Sequence, residues 1–153
     1  MKVGVINPLF EAAQDVFKLM FDVDIEKGVM KIVSDMLGSN DANVVLGVTG
    51  DLKGSVIFGF PNDMALEMVR IMSGMEIDEI DGFVSSALGE VANIIGGNAL
   101  TILAENNCIC DIVPPQIFVG EYKTASVGDG KALVQTVKTG IGEFEISAFL
   151  KDR

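Results

Sequence analysis

The chain has no histidine, no tryptophan, only two cysteines, and half as many basic as acidic residues, 11 Lys and Arg against 22 Asp and Glu. Each shortage removes a class of function. Without His, the chain lacks the commonest general base, the commonest metal ligand and any phosphohistidine chemistry. A formal charge of −11 leaves no cationic face for nucleic acid or for an anionic membrane. Two Cys with no His cannot complete a zinc site. Cys108 and Cys110, in Asn107-Cys-Ile-Cys-Asp-Ile112, instead read as two small buried hydrophobes on one face of an extended segment. Long apolar runs are missing too. The longest uncharged stretch, Val91 to Ala104, has 14 residues, includes Asn93 and Asn98, and is too short and too polar to span a bilayer. The first residues, Met1 to Pro8, lack the apolar core of a secretory signal, so the expectation is a cytoplasmic protein without membrane insertion.

What is present is ample for a core. The 153 residues are 49% apolar with 17 Gly spread along them, which suits one domain over 1–153 rather than a disordered segment. Asn7 followed by Pro8 reads as an N-cap and first helical residue. The stripe Leu9, Ala12, Ala13, Val16, Phe17 and Met20 extends that helix to about Phe21. Runs of β type follow at Gly28–Ser34, Ala42–Thr49 and Ser55–Phe60, the last two joined by the Gly-bounded turn Gly50-Asp-Leu-Lys-Gly54. Pro61-Asn62-Asp63 opens a second helix, with a core stripe of Ala65, Met68, Val69 and Met72, and Gly74 closes it. The acidic link Glu76-Ile-Asp-Glu-Ile-Asp81 leads to the longest helical pattern, Asp81 to Ala104, broken or bent near Gly96-Gly97. Strands at Gln116–Tyr122, Lys131–Lys138 and Glu143–Leu150 complete the chain, and could leave an edge open for pairing.

Two halves resemble each other faintly. Phe10-Glu-Ala-Ala-Gln14 parallels Leu88-Gly-Glu-Val-Ala-Asn93, and the Gly-opened strands Gly54–Phe60 and Gly142–Phe149 match in kind. The expected fold is α+β: a mainly antiparallel sheet with long helices on one face and a pseudo-twofold internal repeat.

The candidate site lies on the long helix. Ser86, Glu90 and Asn93, at offsets of four and three, share one stripe, and Gly97 extends it with a position of no bulk. Val84, Ala87, Leu88, Val91, Ile94 and Ile95 fill the rest of the circumference, so the stripe should face outward. One carboxylate and one amide fall far short of a calcium shell. On composition alone, Glu and Asn on an exposed helical face are ordinary solvated residues.

Ser86-Ala-Leu-Gly-Glu90-Val-Ala-Asn93 resembles the signature of the CheC/CheX/FliY phosphatases of bacterial chemotaxis, nearest the CheX branch. In that signature an Asp or Ser, a Glu and an Asn stand at these offsets, with a Pro downstream. Here Pro114 and Pro115 follow Asn93 after 20 and 21 intervening residues, slightly short of the usual spacing. Ile94-Ile95-Gly96-Gly97-Asn98-Ala99 is similar to the family as well, and the likeness runs from about Asn7 to Leu150. The resemblance implies hydrolysis of the aspartyl phosphate of a CheY-like response regulator. Asn93 would position the water, Glu90 would pair with the receiver's lysine, and Ser86 and Gly97 would contact the partner. It implies no cofactor of the chain's own, since the receiver brings its Mg2+. It also implies a homodimer, with the adaptor CheD as a further candidate partner. The first helix offers Asn7, Glu11 and Gln14 at the same offsets, a degenerate second site with Gln in place of Asn, so one site per chain is expected. Two other functions compete: a non-catalytic module that docks a receiver or flagellar-switch protein, and a small-ligand sensor with a pocket between sheet and helices.

Overall fold

A computed structural model describes residues 6–33, 41–120 and 131–152. Among these, helix α1 (Ile6–Phe21) leads into strands β1 (Ile25–Val33), β2 (Ala42–Gly50) and β3 (Leu52–Phe60). Helices α2 (Asn62–Ser73) and α3 (Gly82–Glu105) follow, then β4 (Cys110–Ile112), β5 (Gln116–Val119), β6 (Ala132–Thr139) and β7 (Gly142–Asp152).

All seven strands join one sheet in the order β1-β6-β7-β3-β2-β4, with β5 also on β2, and every pairing is antiparallel. This order carries the internal repeat. Exchanging α1-β1-β2-β3 with α3-β4/β5-β6-β7 maps the sheet onto itself, with β3 and β7 at its centre and each half's first strand traded to the other half. In the central pair, Val56 faces Ala148 and Phe58 faces Ile146. These four, with Val44, Leu46 and Phe144, turn one sheet face toward the helices and are buried. The alternation required for that face is the period-two pattern of a half-buried strand.

All three helices meet this face. Phe17 of α1 stacks on Phe144 of β7 with ring centroids 4.9 Å apart, and Phe60 of β3 lies 5.3 Å from the same ring. On α2, Met64, Ala65, Met68 and Val69 are buried, so the methionine stripe is core. Gly74 ends α2 at φ 75°, its N–H donating to the Arg70 carbonyl oxygen at 2.8 Å. Glycine holds that left-handed turn without a Cβ penalty.

The structure corrects several expectations. Asn7 lies inside α1, which is already helical at Ile6, and its side chain does not cap the helix. Instead, Asn7 Oδ1 accepts a hydrogen bond from Lys27 Nζ at 2.7 Å. Strand β1 begins earlier than expected, at Ile25, because Ile25 is buried and pairs with Thr139. β4 is a strand the sequence pattern did not give, and β5 stops at Val119; Ser34 and Tyr122 lie outside the described residues. β6 and β7 lie inside the sheet, so of the expected C-terminal strands only β5 is peripheral, and the opposite edge is β1. Helix α3 runs without a break through Gly96 and Gly97.

Candidate active site on helix α3

Helix α3 is fixed at both ends by its own sequence. Asp81 caps the start, its carboxylate accepting from the Val84 N–H at 2.9 Å. At the far end Asn107 adopts φ 61°, and the Cys108 N–H returns to the Leu103 carbonyl oxygen at 2.9 Å. Between them Val84, Leu88, Val91, Ala92, Ile95 and Ala99 are buried.

Two glycines bring this face unusually close to the sheet. A Cβ on Gly96 would stand 2.8 Å from Leu46 Cδ1 and 3.1 Å from Ile112 Cδ1. A Cβ on Gly89 would stand 3.0 Å from Ile117 Cδ1 and 3.6 Å from Pro115 Cγ. Gly89 and Gly96, two turns apart, therefore seat the helix on β2, β4, β5 and the proline before β5. Pro115 packs beneath the residue that precedes Glu90, which gives the downstream proline a physical role: it backs the turn that carries the carboxylate.

The opposite face is the predicted stripe. Ser86 and Glu90 are exposed, while Asn93 and Gly97 are half-buried. Among the described residues, no hydrogen bond or ion pair engages the side chains of Ser86, Glu90 or Asn93. The amide and carboxylate are thus oriented outward with their hydrogen-bonding capacity unspent. The structure corrects the expectation for two apolar neighbours. Ile94 is 36% exposed rather than buried, and Ala87 is only half-buried. Phe83, 48% exposed, joins Ile94 on this face. Both could have been found from sequence, since each falls close to Glu90 on a helical wheel.

The corresponding stripe on α1 is differently placed. Asn7, Glu11 and Gln14 are all exposed, but Asn7 is engaged by Lys27, whose ammonium also lies 5.2 Å from the centre of the Phe10 ring. A cation of the chain's own is already seated against this stripe.

The other candidate chemistries find little here. Cys108 and Cys110 are free thiols with sulfurs 3.8 Å apart. Burial, then the neighbouring Cys110, pushes the Cys108 thiol up to about 11. Among the described residues, no three His, Cys, Asp or Glu side chains group to hold a metal ion. The space between helices and sheet, lined by Leu9, Leu46, Val56, Leu103 and Ile112 among others, measures about 20 Å³, which is too small for a metabolite. Helix α3 has 24 residues and an 18-residue window of mean hydropathy 1.3, the length and apolarity of a membrane span, although its longest uncharged stretch, Val91 to Ala104, is too short for one. In this fold its apolar side is taken up by packing on the sheet.

Residues 42–138 match the family model described as chemotaxis phosphatase CheX. The chain belongs to this CheX family. The matched span contains α3 and Pro115, and leaves α1 with Asn7, Glu11 and Gln14 outside it. Among relatives, the CheY-P phosphatase CheX of Thermotoga maritima is 28% identical over 130 residues, 84% of each chain. The CheX-family fold also recurs in solved structures. A CheC-like superfamily protein from Shewanella sp. PV-4 superposes with a TM-score of 0.89 at 25% identity, over 99% of both chains. CheX of Borrelia burgdorferi, solved in complex with CheY, BeF3 and Mg2+, superposes with a TM-score of 0.79 at 27% identity, over 99% of this chain and 100% of that one.

Proposed function

We propose that this CheX-family chain hydrolyses the aspartyl phosphate of a CheY-like receiver domain, with Asn93 and Glu90 of α3 acting in trans. The observation that carries the reading is the pair itself: a carboxamide and a carboxylate, three residues apart on one outward face, with no hydrogen-bond or ion-pair partner among the described residues. The solved complex of a CheX with CheY, BeF3 and Mg2+ supports a receiver as the partner and Mg2+ as a component of that assembly.

An aspartyl phosphate is a mixed anhydride. Water oxygen bonds to phosphorus as the bond to the acyl oxygen breaks, leaving the receiver's carboxylate and inorganic phosphate. Catalysis then needs little more than an in-line water and stabilised charge on the phosphoryl oxygens. An asparagine side chain suits the first task, because its carbonyl oxygen accepts from the water while its NH2 donates to a phosphoryl oxygen. Glu90 would be repelled by the phosphoryl group itself, so its role is to pair with the receiver's lysine and fix the angle at which α3 docks. Ser86 meets the receiver's rim, and Gly97, one turn beyond Asn93, offers the receiver a position of no bulk. The Mg2+ enters with the receiver. The net charge of −11 adds selectivity, since it repels free phosphorylated metabolites and leaves a phosphate already neutralised by a protein as the accessible substrate.

One site per chain follows, because Lys27 occupies the α1 stripe and Gln14 stands where the amide of an Asn would be needed. We extend the reading to a single cytoplasmic domain that forms a homodimer, for which the nine-residue edge strand β1, with Val29 and Ile32 largely exposed, offers a pairing surface. The test is turnover. Substoichiometric amounts of the protein should clear phosphate from an excess of phosphorylated receiver. A module that only docks would bind the receiver and leave the lifetime of its phosphate unchanged, and that result would reject the reading.

A further inference from the structure

The outward face of α3 holds more than the catalytic pair. Phe83 is 48% exposed and Ile94 36% exposed, on a helix whose other large apolar side chains are mostly buried. At about 100° per residue they lie within roughly 40° of Glu90, one two turns before it and one a turn after. Gly97 lies one turn beyond Asn93. A Cβ there would meet nothing within 4 Å, whereas one on Gly96 would press on Leu46 and Ile112. The neighbouring glycines therefore differ in kind. Gly96 is required by packing inside the chain, and Gly97 is not, although glycine is a poor residue for a helix interior.

The face is also nearly free of charge. Phe83, Ser86, Ala87, Glu90, Asn93, Ile94, Gly97, Asn98 and Thr101 include one ionisable group, in a chain with 22 Asp and Glu. It runs about 21 Å along the helix from Phe83 to Gly97, longer than any small phosphorylated ligand would use. An uncharged strip with two apolar side chains and one flat position suits a protein surface.

We propose that Phe83, Ile94 and Gly97 form the docking footprint that selects the phosphorylated receiver. Phe83 and Ile94 take its apolar surface on either side of the carboxylate, and Gly97 marks the point where the receiver's backbone comes closest to α3. This rests on the phosphatase reading, because the phosphoryl group must reach Asn93 and the receiver is then forced against the residues one turn away. The footprint contributes to capture, and Asn93 to the chemical step.

The experiment measures steady-state hydrolysis of a phosphorylated receiver by Phe83→Ala, Ile94→Ala, Gly97→Leu, Asn93→Ala and Leu19→Ala, with thermal unfolding of each. Leu19 is a control, 87% exposed on α1 and outside the footprint. Phe83→Ala and Gly97→Leu should raise KM by about 5–30-fold, the loss expected on removing or obstructing a central contact, with the effect on kcat much smaller. Leu19→Ala should keep the wild-type KM. The inference is overturned if the footprint variants retain the wild-type KM while Asn93→Ala is inactive, if their loss falls on kcat alone, or if Leu19→Ala raises KM equally. If Asn93→Ala itself turns over normally, the phosphatase assignment of Asn93 fails first. A Gly97→Leu variant with a lowered unfolding temperature would contradict the open space at that position, and Phe83→Ala still decides the docking.

Discussion

Alanine at Gly96 and at Gly97 should have unequal effects on stability, although the two positions are adjacent on one helix. Glycine to alanine in a helix interior contributes about 1 kcal/mol through backbone entropy, and this term is common to both. It then stands alone at Gly97, where a Cβ has nothing within 4 Å. At Gly96 the methyl would come 2.8 Å from Leu46 Cδ1, closer than carbon atoms tolerate, and 3.1 Å from Ile112 Cδ1, a tight contact. Overpacking of this kind costs about 1–3 kcal/mol. The lower end applies, because Leu46, Gly96 and Ile112 all border the small void between helices and sheet and the two side chains have somewhere to move. Gly97→Ala should therefore raise the unfolding temperature by about 2–4 °C, while Gly96→Ala should leave it near wild type or lower it by a similar amount. Thermal unfolding followed by circular dichroism gives both numbers. Equal shifts for the two variants, or a destabilised Gly97→Ala, would refute the assignment of one glycine to packing and the other to an open surface.

Two further predictions concern how α3 is held. Asp81→Ala removes the carboxylate that accepts from the Val84 N–H, and should cost about 1 kcal/mol, again seen as a lower unfolding temperature. Cys108 keeps its proton to about pH 11 in the fold, mainly through burial and then through Cys110, whereas an ordinary thiol loses it near pH 9. Its contribution to stability is thus complete below pH 9 and is lost as the pH rises towards 11. Cys108→Ala should flatten that part of the pH–stability profile, and iodoacetamide should label native Cys108 slowly at pH 8 because little thiolate is present.

How much of this was readable beforehand varies with the range of the interaction. The α3 stripe was legible because Ser86, Glu90 and Asn93 obey helical spacing and Asp81 caps the helix locally. The methionine stripe of α2 could be placed in the core for the same reason. The Asn7 cap fails because α1 is already helical at Ile6, and the Asn7 side chain instead meets a long-range partner, Lys27, that nothing in residues 7 and 8 announces. β4 was missed because three residues give too short a pattern; only pairing with Val48, Thr49 and Gly50 makes Cys110–Ile112 a strand. The difference between Gly96 and Gly97 likewise needs the sheet behind them. Apolar character alone places Ile94 inward, whereas its position near Glu90 on the helical wheel already points it outward, where it is found.

In the proposed reaction one amide on α3 aims a water at another protein's acyl phosphate. Single-turnover loss of phosphate from a receiver saturated with Asn93→Ala, with binding measured in the same mixture, tests it most directly. An intact complex is expected, with hydrolysis about 10²–10³-fold slower than with wild type, equivalent to about 2.7–4 kcal/mol of transition-state stabilisation. Hydrolysis at the wild-type rate within that complex would contradict it.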